Sequence, residues 1–489
     1  METRAIYYDN FASHLLNAYN PNMLYPDLPH RWSDAEWRDL VDMIHDFGFN
    51  VLEFWLVPRL FCREGLESGM GKEFTRQMNV IIEYAHAHGM KAEMMSGLAT
   101  VGAHWRTYCP NVTEEWEQVR YLWDQWTKRL PGLEIVGIFP GDPGACSRNG
   151  CRAETYIDKS IEIAEIIKAN LPRAEIDFNT WGPPFFGWGI IYEPPDGHGE
   201  FIQEHQHTAW RFDKTRADRS MNHLLRRLKD FPADTAVSIS LGFNPNGNPV
   251  GDEDARPWAR EIAKTNRILT WDFSLTEGEN AIYPHYRFDR LFERRREERA
   301  AAPYSGGICF TMTPLLNQLS LFQSAWSFRD PDADHRQVAS VFFQRLFGAP
   351  GSALTEYIPL FEIVPDWGHY GQVEMTRKEY HRKMRELVAL LQDLRDSVVD
   401  EAILHPSPER YRRELLFFAH LFADLSGPEP AFQMLRKRYR DRVYAIYDLL
   451  PEHVDPRPQR AMDNLIGHFQ RGSFVGEPGW SPTGSSAPA

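Results

Sequence analysis

Eight short β-like runs alternate with longer amphipathic helical patterns between the start of the chain and about residue 330. This alternation is typical of a parallel sheet whose strands are joined by crossover helices, and a ring of eight such strands closes into a barrel. We therefore predict a (β/α)8 TIM barrel over residues 1–330. The predicted strands are Ala5–Asp9, Val51–Val57, Lys91–Leu98, Glu134–Phe139, Ala174–Trp181, Thr235–Gly242, Ile268–Ser274 and Ser305–Met312.

Beyond residue 330 the β-like runs stop and long helical patterns follow. They predict an all-α helical C-terminal domain over residues 331–475. Residues 476–489 are rich in Gly, Pro, Ser and Ala without periodicity, which is typical of a disordered tail. The predicted C-terminal helices lie near Arg336–Phe347, Arg377–Val398, Pro408–Leu425 and Ala431–Leu450.

Charge and composition argue against several classes of protein. The chain has 54 Lys and Arg against 68 Asp and Glu, a net charge of −14, whereas nucleic-acid binding depends on an excess of cations. The segment METRAIYYDNF has no basic region followed by an apolar stretch, and no window approaches the roughly 18 consecutive apolar residues of a membrane span. We therefore expect a cytoplasmic protein without nucleic-acid or membrane partners. Its five cysteines are expected to be reduced thiols.

Alternation along the strands predicts which side chains face the barrel lumen. In Val51–Val57 the apolar Leu52, Phe54 and Leu56 are expected to face the helices, which directs the residues between them inward. A single inward polar group can be a hydrogen-bonded structural residue, whereas several carboxylates together favour acid–base chemistry. The residues predicted to face inward are Glu53, Trp55, Asp177, Asn179, Trp181, Ser238, Ser240, Thr270, Asp272 and Ser274.

Acidic residues also follow the predicted fourth and seventh strands. Asp142 lies in the segment PGDPG, whose glycines and prolines turn the chain sharply, while Asp272 and Glu277 lie at the end of strand seven and on its loop. These strands are on opposite sides of an eight-stranded ring, so their acids can face each other across a bound sugar. Glycoside hydrolysis needs such a pair, one to protonate the leaving oxygen and one to attack or to activate water. A turn-forming role for Asp142 and a solvated loop position for Glu277 are the alternatives.

The segment after the predicted fifth strand, from Gly182 to about Thr215, is the longest loop. Long loops over a barrel mouth are usually functional, and aromatic rings there can stack on sugar faces. A hydrophobic flap packed on its neighbours is the alternative, and Arg287 after strand seven can instead pair with a local carboxylate. The residues of these two segments predicted to contact substrate are Trp188, His205, His207, Trp210, His285, Tyr286 and Arg287.

Motifs for metals and cofactors are weak in this sequence. The pair His205 and His207 alone is a weak metal signal, and no glycine-rich phosphate-binding motif is present, so no cofactor and no catalytic metal are predicted. Cys146 and Cys151 can join Cys109 as thiolate ligands of a structural zinc, although their spacing is looser than that of a C-x2-C pair. Simple buried thiols are the alternative.

On these features the chain resembles barrel glycoside hydrolases with a helical C-terminal extension, in the neighbourhood of the family 20 β-hexosaminidases, their family 84 relatives and the family 67 α-glucuronidases. The resemblance covers the barrel and the segment Phe342–Gly348, which is similar to the helix that opens such extensions. It implies an acid/base residue at Asp142 and a second carboxylate at Asp272 or Glu277. The hexosaminidases have an adjacent Asp-Glu pair after strand four, whereas Asp142 is followed by Pro143, a departure from the substrate-assisted N-acetyl pattern.

Together these features predict an exo-acting glycoside hydrolase of carbohydrate substrates, with a homo-oligomer left open. A metal-dependent sugar isomerase, epimerase or hydrolase is the second hypothesis, and a non-catalytic sugar-binding barrel is the third. Thirteen of the 15 tryptophans precede residue 330, so the aromatic excess belongs to the predicted barrel.

Overall fold

The structure is a computed structural model of the 489-residue chain. It describes residues 3–8, 33–102, 106–140, 146, 148–180, 214–239, 252–272, 284, 286, 288–311, 317–363, 372–397, 408–428, 431–447, 463, 465–467, 469–470 and 473–477. Across these residues, none of the helices combines the length and the apolar character that crossing a bilayer would need.

A curled parallel sheet is the central element of the fold. Its strands and two short additional ones are β1 (Thr3–Tyr8), β2 (Val51–Trp55), β3 (Lys91–Gly97), β4 (Thr100–Val101), β5 (Arg106–Thr107), β6 (Ile135–Phe139), β7 (Glu175–Asn179), β8 (Ala236–Ser238), β9 (Arg267–Asp272) and β10 (Gly306–Thr311). Eight of these strands pair in parallel in the order β1-β10-β9-β8-β7-β6-β3-β2. Because β1 pairs with both β10 and β2, the sheet closes on itself. The short strands β4 and β5 pair antiparallel, apart from the closed sheet.

Helices separate successive strands of the closed sheet and follow the last of them. The helices of the sheet region are α1 (Asp34–Phe47), α2 (Arg63–Glu67), α3 (Gly69–Ala87), α4 (Thr113–Arg129), α5 (Ala153–Asn170), α6 (Lys214–Arg227), α7 (Asp252–Ile262), α8 (Phe288–Ala301) and α9 (Gln318–Arg329). Those that follow are α10 (His335–Phe347), α11 (Arg377–Asp393), α12 (Pro408–Ser426) and α13 (Phe432–Tyr447). A 3-10 helical segment, Ala349–Ile363, lies between α10 and α11.

The ends of α1 illustrate how local chemistry sets these boundaries. Ser33 Oγ accepts a hydrogen bond from the Glu36 N–H at 3.3 Å, and the Glu36 carboxylate accepts one from the Ser33 N–H at 2.6 Å. This reciprocal pair satisfies N–H groups that the first turn leaves free. At the other end Gly48 has φ of +102°, a left-handed conformation that glycine adopts without steric cost.

The sequence prediction of a parallel β/α sheet followed by helices is confirmed. Each predicted strand overlaps one strand of the closed sheet, although the ends differ. The predicted strand Thr235–Gly242, for example, is observed as Ala236–Ser238. The sequence analysis missed β4, β5 and the 3-10 segment, all of which are short or irregular.

One hydrophobic core includes side chains of the sheet, of the helices around it and of α10 to α12. Tyr286, which follows β9, and Tyr411 of α12 are fully buried and share a hydrogen bond of 2.5 Å between their hydroxyl groups. The rings of Tyr286 and Phe361 lie 5.1 Å apart, and those of Phe342 and Tyr411 lie 5.5 Å apart. The C-terminal helices therefore pack on the sheet region through buried aromatic contacts. The prediction that Tyr286 contacts substrate was wrong, because its ring and hydroxyl are taken up in this core.

Candidate active site

Three carboxyl side chains lie in the interior of the closed sheet: Glu53 on β2, Glu93 on β3 and Asp177 on β7. Their relative exposure is 0%, 1% and 0%. The neighbouring residues on the strands face the opposite way, since Phe54 contacts Phe74 of α3 with ring centres 5.8 Å apart. Alternation then directs the residue before Phe54 into the lumen, as the sequence analysis predicted for Glu53.

Asp177 occupies the lumen for the same reason. On β7, the ring centre of Phe178 lies 5.3 Å from that of Tyr156 on α5 and 5.1 Å from that of Phe231. Because Phe178 faces the helices, Asp177 and Asn179 on either side of it face inward. Both are fully buried. The predicted inward direction of these two residues is therefore confirmed.

Glu93 is a lumen carboxyl that the sequence analysis missed. It pairs in register with Glu53 across β2 and β3. Space for it comes from Gly137 on β6, because a Cβ atom at Gly137 would lie 3.1 Å from Glu93 Oε1 and 2.4 Å from Met95 Cε. A glycine inside the apolar strand IVGIF is the sequence signal that could have indicated a close approach here.

Burial and mutual repulsion shift the pKa values of the three carboxyl groups. Burial is the main cause that raises the pKa of Glu53 well above its usual value, and the charges of Glu93 and Asp177 add to it. Burial likewise raises the pKa of Glu93, with further contributions from Asp177 and Glu175. Burial raises the pKa of Asp177 to about 7. The lumen therefore favours neutral Glu53 and Glu93 and places the titration of Asp177 near neutral pH.

Ser238 on β8 opposes the shift of Asp177. Its hydroxyl lies 2.7 Å and 2.9 Å from the two oxygens of the Asp177 carboxyl group. This donor and the positive charge of Arg267 lower the pKa of Asp177 against the larger effect of burial. The predicted inward direction of Ser238 is confirmed by these contacts.

The amino-terminal end of the sheet is closed by ion pairs below the three carboxyl groups. Lys91 Nζ on β3 lies 2.8 Å from Glu175 Oε1 on β7, and Arg267 on β9 binds the other oxygen of Glu175. Each of these residues begins its strand, and Lys91 and Glu175 precede Glu93 and Asp177 by two residues. The charges of Lys91 and Arg267 therefore act on the lumen from one end.

Glu53 is the member of the group with the strongest indication of a further partner. In the part of the chain that the structure describes, neither of its carboxyl oxygens has a hydrogen-bond partner, and neither does Glu93 Oε1. A buried polar atom without a partner is costly, so such atoms normally contact water or a ligand. Among the described residues, these buried oxygens are therefore left with hydrogen-bonding capacity.

Trp55 and Asn179 lie at the carboxyl ends of β2 and β7, toward the mouth. Trp55 is 4% exposed and contacts Phe139 of β6, with ring centres 6.2 Å apart. The Asn179 carbonyl accepts a hydrogen bond from Tyr156 Oη at 3.0 Å. Both predicted residues therefore lie above the carboxyl groups, at the edge where barrel enzymes hold substrate.

Thr270 does not face the lumen, and this part of the prediction was wrong. Its hydroxyl lies 2.5 Å from Glu298 of α8, which in turn binds Arg295, and all three side chains are buried on the helix side of the sheet. The Arg295 guanidinium also covers the Phe328 ring of α9 at 4.3 Å. The hydroxyl faces the helices because the buried carboxylate of Glu298 accepts a hydrogen bond from it there.

Asp272 is two residues beyond Thr270 on β9. Its backbone is the last of the strand and pairs with Cys309 of β10, while its side chain is outside the described part of the structure. Because alternation along β9 was the basis for directing Asp272 inward, the direction of Thr270 removes that argument.

Other predicted site residues lie outside the described residues altogether. The catalytic candidates among them are Asp142 and Glu277. The further candidates are Trp181, Trp188, His205, His207, Trp210, Ser240, Ser274, His285 and Arg287. Their roles stay predictions.

The three cysteines considered as zinc ligands do come together. Cys109 follows β5, while Cys146 and Cys151 lie between β6 and α5, and all three are buried. The hydrogen bond with the Cys151 thiol is the main cause that lowers the pKa of Cys146 to about 6, against the opposing effect of burial. Their sulphur atoms lie within 4.8 Å of one another.

Comparison with known proteins shows similarity in fold alone. No protein-family model matches the chain, and no curated protein sequence matches it significantly. A mutant of the O-GlcNAc hydrolase of Thermobaculum terrenum superposes with a TM-score of 0.52 at 12% identity, over 96% of this chain and 95% of that one. A family 138 glycoside hydrolase that targets pectin rhamnogalacturonan II superposes with a TM-score of 0.52 at 9% identity, over 96% of this chain and 66% of that one. The chain therefore shares its fold with glycoside hydrolases.

Proposed function

We propose that the chain is a glycoside hydrolase, exo-acting on an oligosaccharide or glycoside, and that its strand–helix units constitute a (β/α)8 barrel. The observation that carries the proposal is the group of three buried carboxyl groups in a fold that glycoside hydrolases share. Barrel lumens are ordinarily filled by branched apolar side chains. Carboxyl groups with separated protonation states are what glycoside hydrolysis needs.

In this proposal the chemistry takes place above the three carboxyl groups, at the carboxyl ends of β6 and β9. Asp142 protonates the leaving oxygen, and Asp272 or Glu277 attacks the anomeric carbon or activates a water molecule. Asp142 follows β6 by three residues and Glu277 follows β9 by five, which is where barrel enzymes carry catalytic groups.

Glu53, Asp177 and Asn179 form the floor of the proposed site. The O–H group of a neutral Glu53 donates a hydrogen bond to a sugar oxygen, and its carbonyl oxygen accepts one from a sugar hydroxyl. Asp177 titrates near neutral pH, so it holds or releases a proton as the charge above it changes. The proposed stacking surfaces for sugar rings are Trp55, Trp181 and Trp210.

The test is turnover of a panel of aryl glycosides and oligosaccharides by the purified full chain. The panel includes N-acetylglucosaminides and rhamnogalacturonan II fragments, the substrate classes named for the two similar structures. We expect hydrolysis of at least one member, with reducing sugar released from chain ends. Binding by calorimetry without turnover would instead support a sugar-binding barrel, and an isomerised or epimerised product formed only with a divalent ion would support the metal-dependent alternative.

The assignment of Asp142 is tested by Asp142→Asn. A general acid contributes about 100-fold to 10,000-fold, so kcat/KM for a glycoside with a poor leaving group is expected to fall by at least about 100-fold. The fall is smaller when the leaving phenol is acidic, because its departure needs less protonation. The control is Glu261→Gln, which removes a carboxylate of α7 paired with Lys264 at 2.6 Å. Full turnover by Asp142→Asn would overturn the assigned role.

A further inference from the structure

The thiols of Cys109, Cys146 and Cys151 have no role in the proposed glycosidase site. Cys109 Sγ and Cys151 Sγ lie 3.5 Å apart, and Cys146 completes a triangle with all separations within 4.8 Å. They form a small cluster with Val112 packed against it, separate from the main hydrophobic core. Among the residues that the structure describes, this is the one group of three ligating side chains found so close together.

The spacing of the sulphur atoms fits a shared metal ion. Tetrahedral Zn²⁺ binds thiolates at about 2.3 Å, which places two bound sulphur atoms about 3.8 Å apart. A disulfide would need a separation of about 2.05 Å and would leave the third thiol unused. Small side-chain rotations therefore suffice to bring the three sulphur atoms to metal-binding distances.

The surroundings of the sulphur atoms supply donors. The Arg148 backbone N–H donates to Cys146 Sγ at 3.3 Å, and Asn149 Nδ2 donates to Cys109 Sγ at 3.4 Å. A neutral thiol is a weak acceptor, whereas a metal-bound thiolate is stabilised and oriented by such N–H groups.

A cation is also held beside the cluster. Arg148 Nη2 lies 2.7 Å from Glu115 Oε2 and donates to the Thr107 carbonyl at 3.0 Å. Glu115 also accepts a hydrogen bond from the Cys109 N–H, so this neutral ion pair fixes the backbone of Cys109 and of Arg148 beside the sulphur atoms.

The chain between Cys146 and Cys151 is folded around the cluster. Asn149 and Gly150 are both left-handed, with φ of +50° and +75°, and the Cys151 N–H donates to the Arg148 carbonyl at 2.9 Å. Asn149 is the single described residue other than glycine with a positive φ. The turn at Asn149 and Gly150 brings Cys151 back toward Cys146, although four residues separate them instead of the two of a C-x2-C pair.

We propose that Cys109, Cys146 and Cys151 are three thiolate ligands of one thiophilic divalent ion, with Zn²⁺ as the expected ion and a ligand other than cysteine at the fourth position. Binding displaces the thiol protons into solvent. The ion joins the segment after β5 to the segment between β6 and α5. Cys146 is four residues beyond Asp142 in the sequence. The proposal does not depend on glycosidase activity.

The first test is the metal content of the full chain, purified under reducing conditions without chelator. We expect about one equivalent of zinc by elemental analysis. Cobalt substituted for zinc is expected to give thiolate-to-metal charge-transfer absorption in the near ultraviolet. Loss of a hydrogen-bond partner of a metal ligand typically weakens metal binding about 10-fold to 100-fold. Cys146→Ser removes a ligand itself, so the affinity of this variant for Co²⁺ is expected to fall by at least that factor. Cys62→Ser is the matched control, because Cys62 caps α2 outside the cluster, and it is expected to retain the metal.

A second measurement uses the unaltered chain, so that a variant that fails to fold does not decide the matter. Alkylation followed by peptide mass spectrometry is expected to label Cys109, Cys146 and Cys151 faster after a chelator is added, with Cys62 unchanged. A reduced, folded chain that takes up neither Zn²⁺ nor Co²⁺ would overturn the proposal. A disulfide between Cys109 and Cys151 in the isolated protein would overturn it as well.

Discussion

Single side chains set the electrostatics of the lumen. The charge of Asp177 raises the pKa values of Glu53 and Glu93, and the charge of Glu93 raises that of Glu53, while Ser238 and Arg267 favour the ionised form of Asp177. Because the pKa of Asp177 lies above its ordinary value, this carboxyl group links the stability of the fold to pH in a definite direction.

We predict that Asp177 destabilises the fold as pH rises. Between its ordinary pKa of 3.8 and about 7, the folded chain keeps a proton that the unfolded chain has released. Its contribution to the free energy of unfolding is therefore fully retained below about pH 4, falls between about pH 4 and pH 7, and is lower by up to about 4 kcal/mol above that interval, since one pKa unit corresponds to about 1.36 kcal/mol. Asp177→Asn removes this dependence.

Urea unfolding at a series of pH values measures this effect. The free energy of unfolding of Asp177→Asn, relative to that of the parent chain, is expected to rise from pH 4 to pH 8. Glu261→Gln, which removes an exposed carboxylate, is expected to keep the parent dependence. Parallel curves for Asp177→Asn and the parent would contradict the prediction.

The residue-level prediction from sequence succeeded on β2 and failed on β9, although both strands alternate apolar with polar residues. Glu53 lies between Leu52 and Phe54, so its direction followed from alternation alone. Thr270 lies between two apolar residues as well. It nevertheless faces the helices, because its hydroxyl donates a hydrogen bond to Glu298 there. That partner is 28 residues away and cannot be identified from the strand.

At the level of elements, β6 determines how much room the lumen has. Its sequence IVGIF places Gly137 opposite Met95 and Glu93, whose side chains occupy the volume that a larger residue would fill. The absence of a side chain on one strand thus permits a carboxyl group on the next.

We predict that Gly137→Ala is destabilising. The added methyl group would lie 2.4 Å from Met95 Cε, and because the flexible end of Met95 can move, the cost is expected at the lower end of the roughly 1–3 kcal/mol of overpacking. Urea or thermal unfolding measures the loss. Gly69→Ala is the matched control, because no atom lies within 4 Å of its added Cβ and the residue begins helix α3, and it is expected to be neutral or slightly stabilising. Equal stabilities of the two variants would contradict the proposed packing role of Gly137.

At the level of the whole molecule, the sheet region and the C-terminal helices share buried contacts. The hydrogen bond between Tyr286 and Tyr411 and the ring contact between Phe342 and Tyr411 join segments more than 60 residues apart. A common core of this kind favours a single cooperative unfolding transition.

We predict that the chain unfolds in one transition and that Tyr411→Phe lowers its midpoint without splitting it. Loss of a buried hydroxyl partner costs about 1–3 kcal/mol. Calorimetry and circular dichroism measure the transition, and Tyr121→Phe, at a partly buried ring beneath Arg63, is expected to change it little. Two separate transitions in the parent chain would show that the sheet region and the helices are independent.

The sequence by itself determined the α/β alternation, the helical C-terminal region and the inward direction of Glu53 and Asp177, because each depends on residues adjacent in the chain. Tertiary structure alone decided that Glu93 joins them, that Thr270 faces α8, and that Cys109 meets Cys151 from 42 residues away. These outcomes depend on which distant segments close the sheet and how tightly they pack. Periodicity records the direction of a side chain along its own strand, whereas its partners are set by contacts that only the folded chain forms.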